Sequence, residues 1–239
     1  MKPWFSRWTI VVMFLAWSAS AWSASAWSQR SSTTLITPKV LATLKEMAAS
    51  GDAAAQFSLG VMYFQGRGVP QNYAKAVFWY RKAAEQGNAF AQESLGVSYY
   101  DGHGVPQDYA QAVYWYRKAA EQGNSFAQLD LGACYYKGQG VPQNYAQAVA
   151  WFRKAAEQGN AFAQGNLGLS YHNGQGVTQD YAEAYFWYDL AAAGSVAKAM
   201  TKEMAKDRDD TASHLAPADL ARVQERARKW FEAHPVTPQ

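Results

Sequence analysis

The chain has little from which to build a covalent or metal-held scaffold. Cys134 is its one cysteine, so no disulfide can close within it. Cys134 sits in the register of Ser98 and Ser170 and reads as a small, partly buried residue of a helix, with an intermolecular disulfide or a redox role as the alternatives. The four histidines, His103, His172, His214 and His234, show no His-x-x-x-His spacing with a nearby carboxylate, and His103, in a turn, reads as exposed. The glycine turns at 66–68 and 102–104 follow helical patterns and lack the Lys-Ser or Lys-Thr ending of a phosphate cradle. No metal, nucleotide or other cofactor is therefore expected. Charge is also scarce: Asp, Glu, Lys and Arg make up 17 % of the chain and the net charge is +3. No segment offers the basic face of a nucleic-acid binder, so no nucleic-acid partner is expected. Long apolar runs are missing too. Residues 8–17 form a short one, well below the ~20 apolar residues that span a bilayer.

What the chain does have is a period. Gly60, Gly96, Gly132 and Gly168 step by 36 residues, as do Tyr73, Tyr109, Tyr145 and Tyr181 and Trp79, Trp115, Trp151 and Trp187. A fixed period of this size marks stacked repeats. Within the copy at 87–122, Ala91, Leu95 and Tyr99 form one stripe of a first helix, which Asn88 can cap. Gly102-His103-Gly104-Val105-Pro106-Gln107 then turns the chain. Asp108 caps a second helix whose stripe is Ala112, Tyr116 and Ala119, and which ends near Gly123. Gly96 lies inside the first helix, where glycine costs roughly 0.5–1 kcal/mol relative to alanine. Close approach to Ala112 and Ala119, with Tyr99 and Tyr116 alongside, is the expected compensation. The Trp-Tyr pairs of the second helix read as core and inter-repeat packing. Arg81-Lys82, Arg117-Lys118 and Arg153-Lys154 read as a solvated face beside Glu85, Glu121 and Glu157.

The pattern Ala-x-x-x-Leu-Gly-x-x-Tyr, then Gly-x-Gly-Val-Pro-Gln-Asp-Tyr-x-x-Ala, then Trp-Tyr-x-x-Ala-Ala and Gly, resembles the Sel1-like repeat, a relative of the tetratricopeptide repeat. Four copies match over about residues 52–194. The resemblance implies an all-α fold, a right-handed α/α superhelical solenoid of helix-turn-helix repeats, and a role as an adaptor in protein complexes. The chain departs from the cysteine-rich members of that family, in which paired cysteines bridge the helices of each unit, so the penicillin-related activity of those relatives does not carry over to it.

In chain order, residues 1–26 read as a secretory signal, with Lys2 and Arg7 before the apolar run and Ala19-Ser20-Ala21 or Ala24-Ser25-Ala26 as the cleavage site; an uncleaved membrane anchor is the alternative. Cleavage takes 22 basic residues to 20 against 19 acidic ones, a net charge of +1, and leaves nothing to insert in a membrane. Residues 27–36 form a linker and 37–51 an N-terminal capping helix opened by Thr37-Pro38. The repeats occupy 52–194; in the last, Thr178 replaces the proline and Gly194 arrives one residue early. Residues 195–234 hold C-terminal capping helices: a last first-type helix over 196–206, an irregular link over 207–215, and an amphipathic helix over 217–233. In that helix Leu220, Val223, Ala227 and Trp230 or Phe231 cap the stack, while Arg222, Glu225, Arg226 and Lys229 face water. Residues 235–239 are a tail.

In tetratricopeptide solenoids ligand peptides lie in a concave groove lined by the first helix of each unit. Carrying those positions over on Leu-Gly-x-x-Tyr gives Phe57, Val61, Phe64 and Gln65 in the first copy and Glu93, Val97, Tyr100 and Asp101 in the second. The third gives Leu129, Ala133, Tyr136 and Lys137, and the fourth Gly165, Leu169, His172 and Asn173. The expected partner-binding set is Phe64, Glu93, Val97, Tyr100, Asp101, Leu129, Tyr136, Lys137, His172 and Asn173, with Tyr100 and Tyr136 as anchors for a protein or peptide. No residue is expected to be catalytic. The reading is an exported, non-enzymatic interaction scaffold, periplasmic or secreted. The alternatives are a β-lactamase-like hydrolase, motivated by the leader and by Ser195-x-x-Lys198 without Ser-Asp-Asn or Lys-Thr-Gly, and a secreted host-interaction factor.

Overall fold

The computed structural model describes residues 37–194 and 198–234, with backbone alone at 198–201. The expected leader, linker and tail, and Ser195, lie outside the described residues. Among the described residues there are eleven helices and no strand. They are α1 (Pro38–Ala49), α2 (Ala53–Gln65), α3 (Tyr73–Glu85), α4 (Ala89–Asp101), α5 (Tyr109–Glu121), α6 (Ser125–Lys137), α7 (Tyr145–Glu157), α8 (Ala161–Asn173), α9 (Tyr181–Ala193), α10 (Lys198–Ala212) and α11 (Pro217–Ala233). Packing divides them into two compact units, 37–134 with 138–142, and 135–137 with 143–234.

Every helix from α2 to α9 has the same two boundaries because each copy carries the same caps. Asp52, Asn88, Asn124 and Asn160 accept, through a side-chain oxygen, the amide three residues on, at 2.7 to 3.1 Å. Gly66, Gly102, Gly138 and Gly174 close the same helices in the left-handed conformation, which a side chain would strain. The glutamine of each turn then holds the end of that helix. Gln71, Gln107, Gln143 and Gln179 donate to the carbonyls of Phe64, Tyr100, Tyr136 and His172 at 2.7 to 2.8 Å. Asn72, Asp108, Asn144 and Asp180 cap the second helices.

The second glycine of the turn has a different task. A Cβ on Gly104 would collide with the backbone of Tyr73, and one on Gly140 with that of Tyr109. The turns of the second, third and fourth copies are therefore laid against the start of the second helix in the copy before.

Leu59, Leu95, Leu131 and Leu167 are at most 1 % exposed, and truncating such a leucine to alanine costs ~2–5 kcal/mol. In the first unit one continuous core joins Phe57, Tyr80, Leu95 and Trp115, from four successive helices, while Trp79 packs with Ala48, Ala55 and Leu59. The tryptophans therefore do pack between repeats. The close approach expected at Gly96 is made against the Tyr116 ring: a Cβ there would stand 2.6 Å from Cδ1 of Tyr116. A ladder of buried amides, unforeseen from the sequence, runs beside this core. Gln56, Gln92, Gln128 and Gln164 each donate to a carbonyl of the preceding second-type helix or of α1, at 3.0 to 3.1 Å. Gln86 and Gln122 in turn donate to Gln56 and Gln92.

The ends differ from expectation in two places. The stretch 207–215, expected as an irregular link, is helical as far as Ala212. Tertiary contacts outweigh its weak local pattern: Met204 and Thr211 are fully buried, and Arg208 pairs with Asp189 at 3.0 Å. On α11, Val223 and Ala227 are buried as expected. Arg226, however, does not simply face water, because it pairs with Glu183 and lies 3.9 Å over the Phe186 ring.

Candidate partner-binding face

The residues expected to bind a partner fall into two sets, one in each unit. Phe64, Glu93, Val97, Tyr100, Asp101 and Leu129 belong to the first, and Tyr136, Lys137, His172 and Asn173 to the second. Their depths vary more than their shared register suggests. Glu93 and Val97 are only 3 % exposed, Asn173 is exposed, and the others lie between.

Tyr100 and Tyr136 already have partners. The Tyr100 hydroxyl donates to Oε1 of Gln139 at 2.7 Å, and that of Tyr136 to Oε1 of Gln175 at 2.8 Å. Their rings also meet Tyr109 and Tyr145 edge-on. Each is thus a staple from a first-type helix to the turn of the next copy. The other copies preserve the staple with different chemistry. Phe64, lacking a hydroxyl, faces the His103 ring at 5.8 Å, and that imidazole stacks on Tyr73 at 4.8 Å. His103 is therefore half-buried, not the exposed turn residue its position suggested. In the fourth copy Nδ1 of His172 is 3.1 Å from Oγ1 of Thr211, and Tyr181 stacks on His214. Burial pushes the phenols of Tyr100 and Tyr136 above their ordinary range. Both stay protonated near neutral pH and keep donating.

Glu93 breaks the pattern of its register, occupied elsewhere by Phe57, Leu129 and Gly165. Its Oε2 accepts a 3.3 Å hydrogen bond from the Ser94 hydroxyl, and its Oε1 is buried without a hydrogen-bond partner. Burial pushes the acid up to about 7, with the Ser94 bond opposing. Asp130 is also buried, at 8 %, and Asp101 lies 3.9 Å from Nδ1 of His103.

Phe90, one turn before Glu93 on the same helix face, was missed. It is 55 % exposed, and its ring lies 6.0 Å from that of Phe57. It recurs as Phe126 and Phe162, and in the fourth copy Phe162 is buried. The basic residues of the second helices are exposed as expected. Arg81 nevertheless donates to the Tyr99 hydroxyl at 2.9 Å and Arg153 to that of Tyr171. Among the described residues no cluster of His, Cys, Asp and Glu could hold a metal. Cys134 is buried.

Repeated helical hairpins with shared cores and variable outer positions define an α/α repeat scaffold. The Sel1 repeat model matches residues 53–88, 89–124, 125–160 and 161–196, and again 215–233. The chain belongs to the Sel1 repeat family. Two solved structures resemble it well. A Sel1 repeat protein from Oxalobacter formigenes is 34 % identical with a TM-score of 0.67, over 80 % of this chain and 78 % of that one. A protective antigen present in uropathogenic Escherichia coli strains, displaying an SLR fold, is 32 % identical with a TM-score of 0.64, over 81 % of this chain. The match spans about half of the antigen's length, 48 %. No curated protein matches the chain. No helix among the described residues is long and apolar enough to cross a membrane.

Proposed function

We propose that the chain is an exported scaffold that binds a protein or peptide partner along the first-type helices, on the face carrying Phe90 and Glu93. The observation that carries this reading is a division of labour within one helix. The leucines, the glycines beneath the tyrosines and the buried glutamines repeat in every copy, whereas the register of Phe57, Glu93, Leu129 and Gly165 changes each time. Variation there, at positions mostly buried beside the exposed Phe90, makes the neighbouring face differ from copy to copy, which stacking alone does not require and recognition does. The family supports a protein partner, and the short apolar stretch after Lys2 supports export.

A photoreactive phenylalanine analogue placed at Phe90, and separately at the exposed Tyr114 of α5, tests the face in the native cell. Adducts at position 90 and none at 114 are expected, and equal labelling would refute the assignment. Fractionating cells and medium tests export, with the chain expected outside the cytoplasm and shortened by about its leader.

A further inference from the structure

The helix that opens the stack is covered on one side only. Gly51 stands 36 residues before Gly87, so α1 has the register of a second-type helix, with Val40, Leu44 and Met47 in the places of Ala76, Tyr80 and Ala83. In the first full copy those three places are at most 3 % exposed, and two of them meet the first helix of their own hairpin: a Cβ on Gly60 would touch the Tyr80 ring and the Ala76 carbonyl. Among the described residues α1 has no such hairpin partner. Leu41 and Leu44 pack against Ala48, Ala55 and Leu59, which covers the side toward α2, while Val40 is 54 % and Met47 46 % exposed. With the half-buried Leu44 between them they form one apolar stripe, at i, i+4 and i+7. The sequence upstream does not encode a helix to cover it. At 36 residues before the cap Asp52, the core Leu59 and the turn glycines Gly66 and Gly68 stand Ala16, Ser23, Arg30 and Ser32, and the repeat model begins to match only at residue 53.

We propose that this stripe is a self-association face, at which two copies of the chain join through an antiparallel pair of α1 helices. The charges beside the stripe are complementary to themselves. Lys39 and Glu46 are exposed and each stands one residue before an apolar anchor, so both lie on the same flank. Two such helices laid antiparallel about a two-fold axis bring Val40 of one copy against Met47 of the second copy and the Leu44 side chains together near the axis. Like flanks meet in an antiparallel pair, so Lys39 lies beside Glu46 of the second copy, and the symmetry makes that pair twice. The contact is one helix of 12 residues from each copy, which places it among the small interfaces that associate weakly. Two stacks joined in this way hold a bivalent partner more tightly than one does.

Sedimentation velocity of the purified chain, as the cell yields it, tests this between about 5 and 500 μM, the range in which a contact of this size should dimerise. Monomer is expected at the low end and dimer at the high end. Val40→Glu combined with Met47→Glu should leave the chain monomeric throughout. Lys39→Glu alone and Glu46→Lys alone should each weaken the dimer about tenfold, since each turns both cross-pairs into like charges. The double swap should dimerise as the wild type does, and a mixture of the two single variants should form a mixed dimer more tightly than either forms its own. Lys39 and Glu46 are seven residues apart, too far to pair along one helix, so the rescue reports a contact between copies. An acid near the start of α1 and a base near its end also suit the helix dipole, so both swapped helices should stay folded. A chain that is monomeric up to the highest concentration, a dimer that survives Val40→Glu with Met47→Glu, or swaps that rescue neither in one chain nor in the mixture would each overturn the proposal.

Discussion

Replacing Gly96 by alanine sets two opposed effects against each other. An alanine inside a helix gains ~0.5–1 kcal/mol over glycine. Here the added Cβ would stand 2.6 Å and 2.7 Å from Cδ1 and Cε1 of Tyr116, a ring only 1 % exposed with no space to retreat. Overpacking of this kind costs ~1–3 kcal/mol, so a net loss of ~1–2 kcal/mol is expected. In a chain of this size that lowers the melting temperature by about 3–6 °C. Gly165 is the control. It too lies inside a first-type helix, but its Cβ would meet only the terminal methyl of Met204 at 3.1 Å, the far end of a flexible side chain. Gly165→Ala is therefore expected to melt at or above the wild type. Gly168, where the Tyr188 ring stands at 2.9 Å, falls between. Circular dichroism melts of the three variants check the order. A Gly96→Ala protein as stable as the wild type, or a Gly165→Ala protein as damaged as Gly96→Ala, would show that ring contact does not select glycine here.

Glu93→Leu should stabilise the chain increasingly as pH rises. Folding raises this acid from 4.5 to about 7, so the folded state holds a proton the unfolded state has lost. Wild-type stability from this group is intact below pH 4.5 and is lost on the way to 7, a swing of roughly 3 kcal/mol that urea melts at pH 4.5 and 8 would read as a pH-dependent gap between variant and wild type. Gln92→Leu removes the side-chain bond to the Ala84 carbonyl, which still accepts from the Gly87 amide, and should cost ~0.5–1.5 kcal/mol, whereas Gln122→Ala, at an exposed site, should cost less in the same melts. Tyr100→Phe removes the bond to Gln139, for an expected loss of ~1 kcal/mol; an unchanged melt would mean the staple is carried by the ring alone. Arg226→Ala should speed amide exchange across α11 more than elsewhere, since the pair with Glu183 and the stack on Phe186 tie that helix to α9.

Much of the hairpin was legible because its determinants are local. Asn88 and Asp108 cap the helices they were expected to cap, since a cap needs only a short polar side chain and a free amide nearby. Depth was not legible in the same way. Register places Glu93, Tyr100 and Asn173 on one face, yet the first is buried, the second stapled to a turn and the third exposed, because depth depends on what the neighbouring copy brings over that position. The helix through Ala212 was hidden for a related reason: its stretch Asp207-Arg208-Asp209-Asp210 reads as solvated, and only the sites waiting for Arg208 and Thr211 make it a helix.

The contact between each turn's second glycine and the preceding copy bears on how such chains change length. Because Gly104 touches the backbone of Tyr73, and Gly140 that of Tyr109, both ends of the 36-residue interval are clamped to a neighbour. A deletion of part of a copy would shift a side chain into that clamp, while loss or duplication of a whole copy would keep the spacing of the glycine contacts. Lineages carrying this architecture are thus expected to grow and shrink by integer steps, and the varied register of Glu93 would travel with its copy as an exchangeable letter.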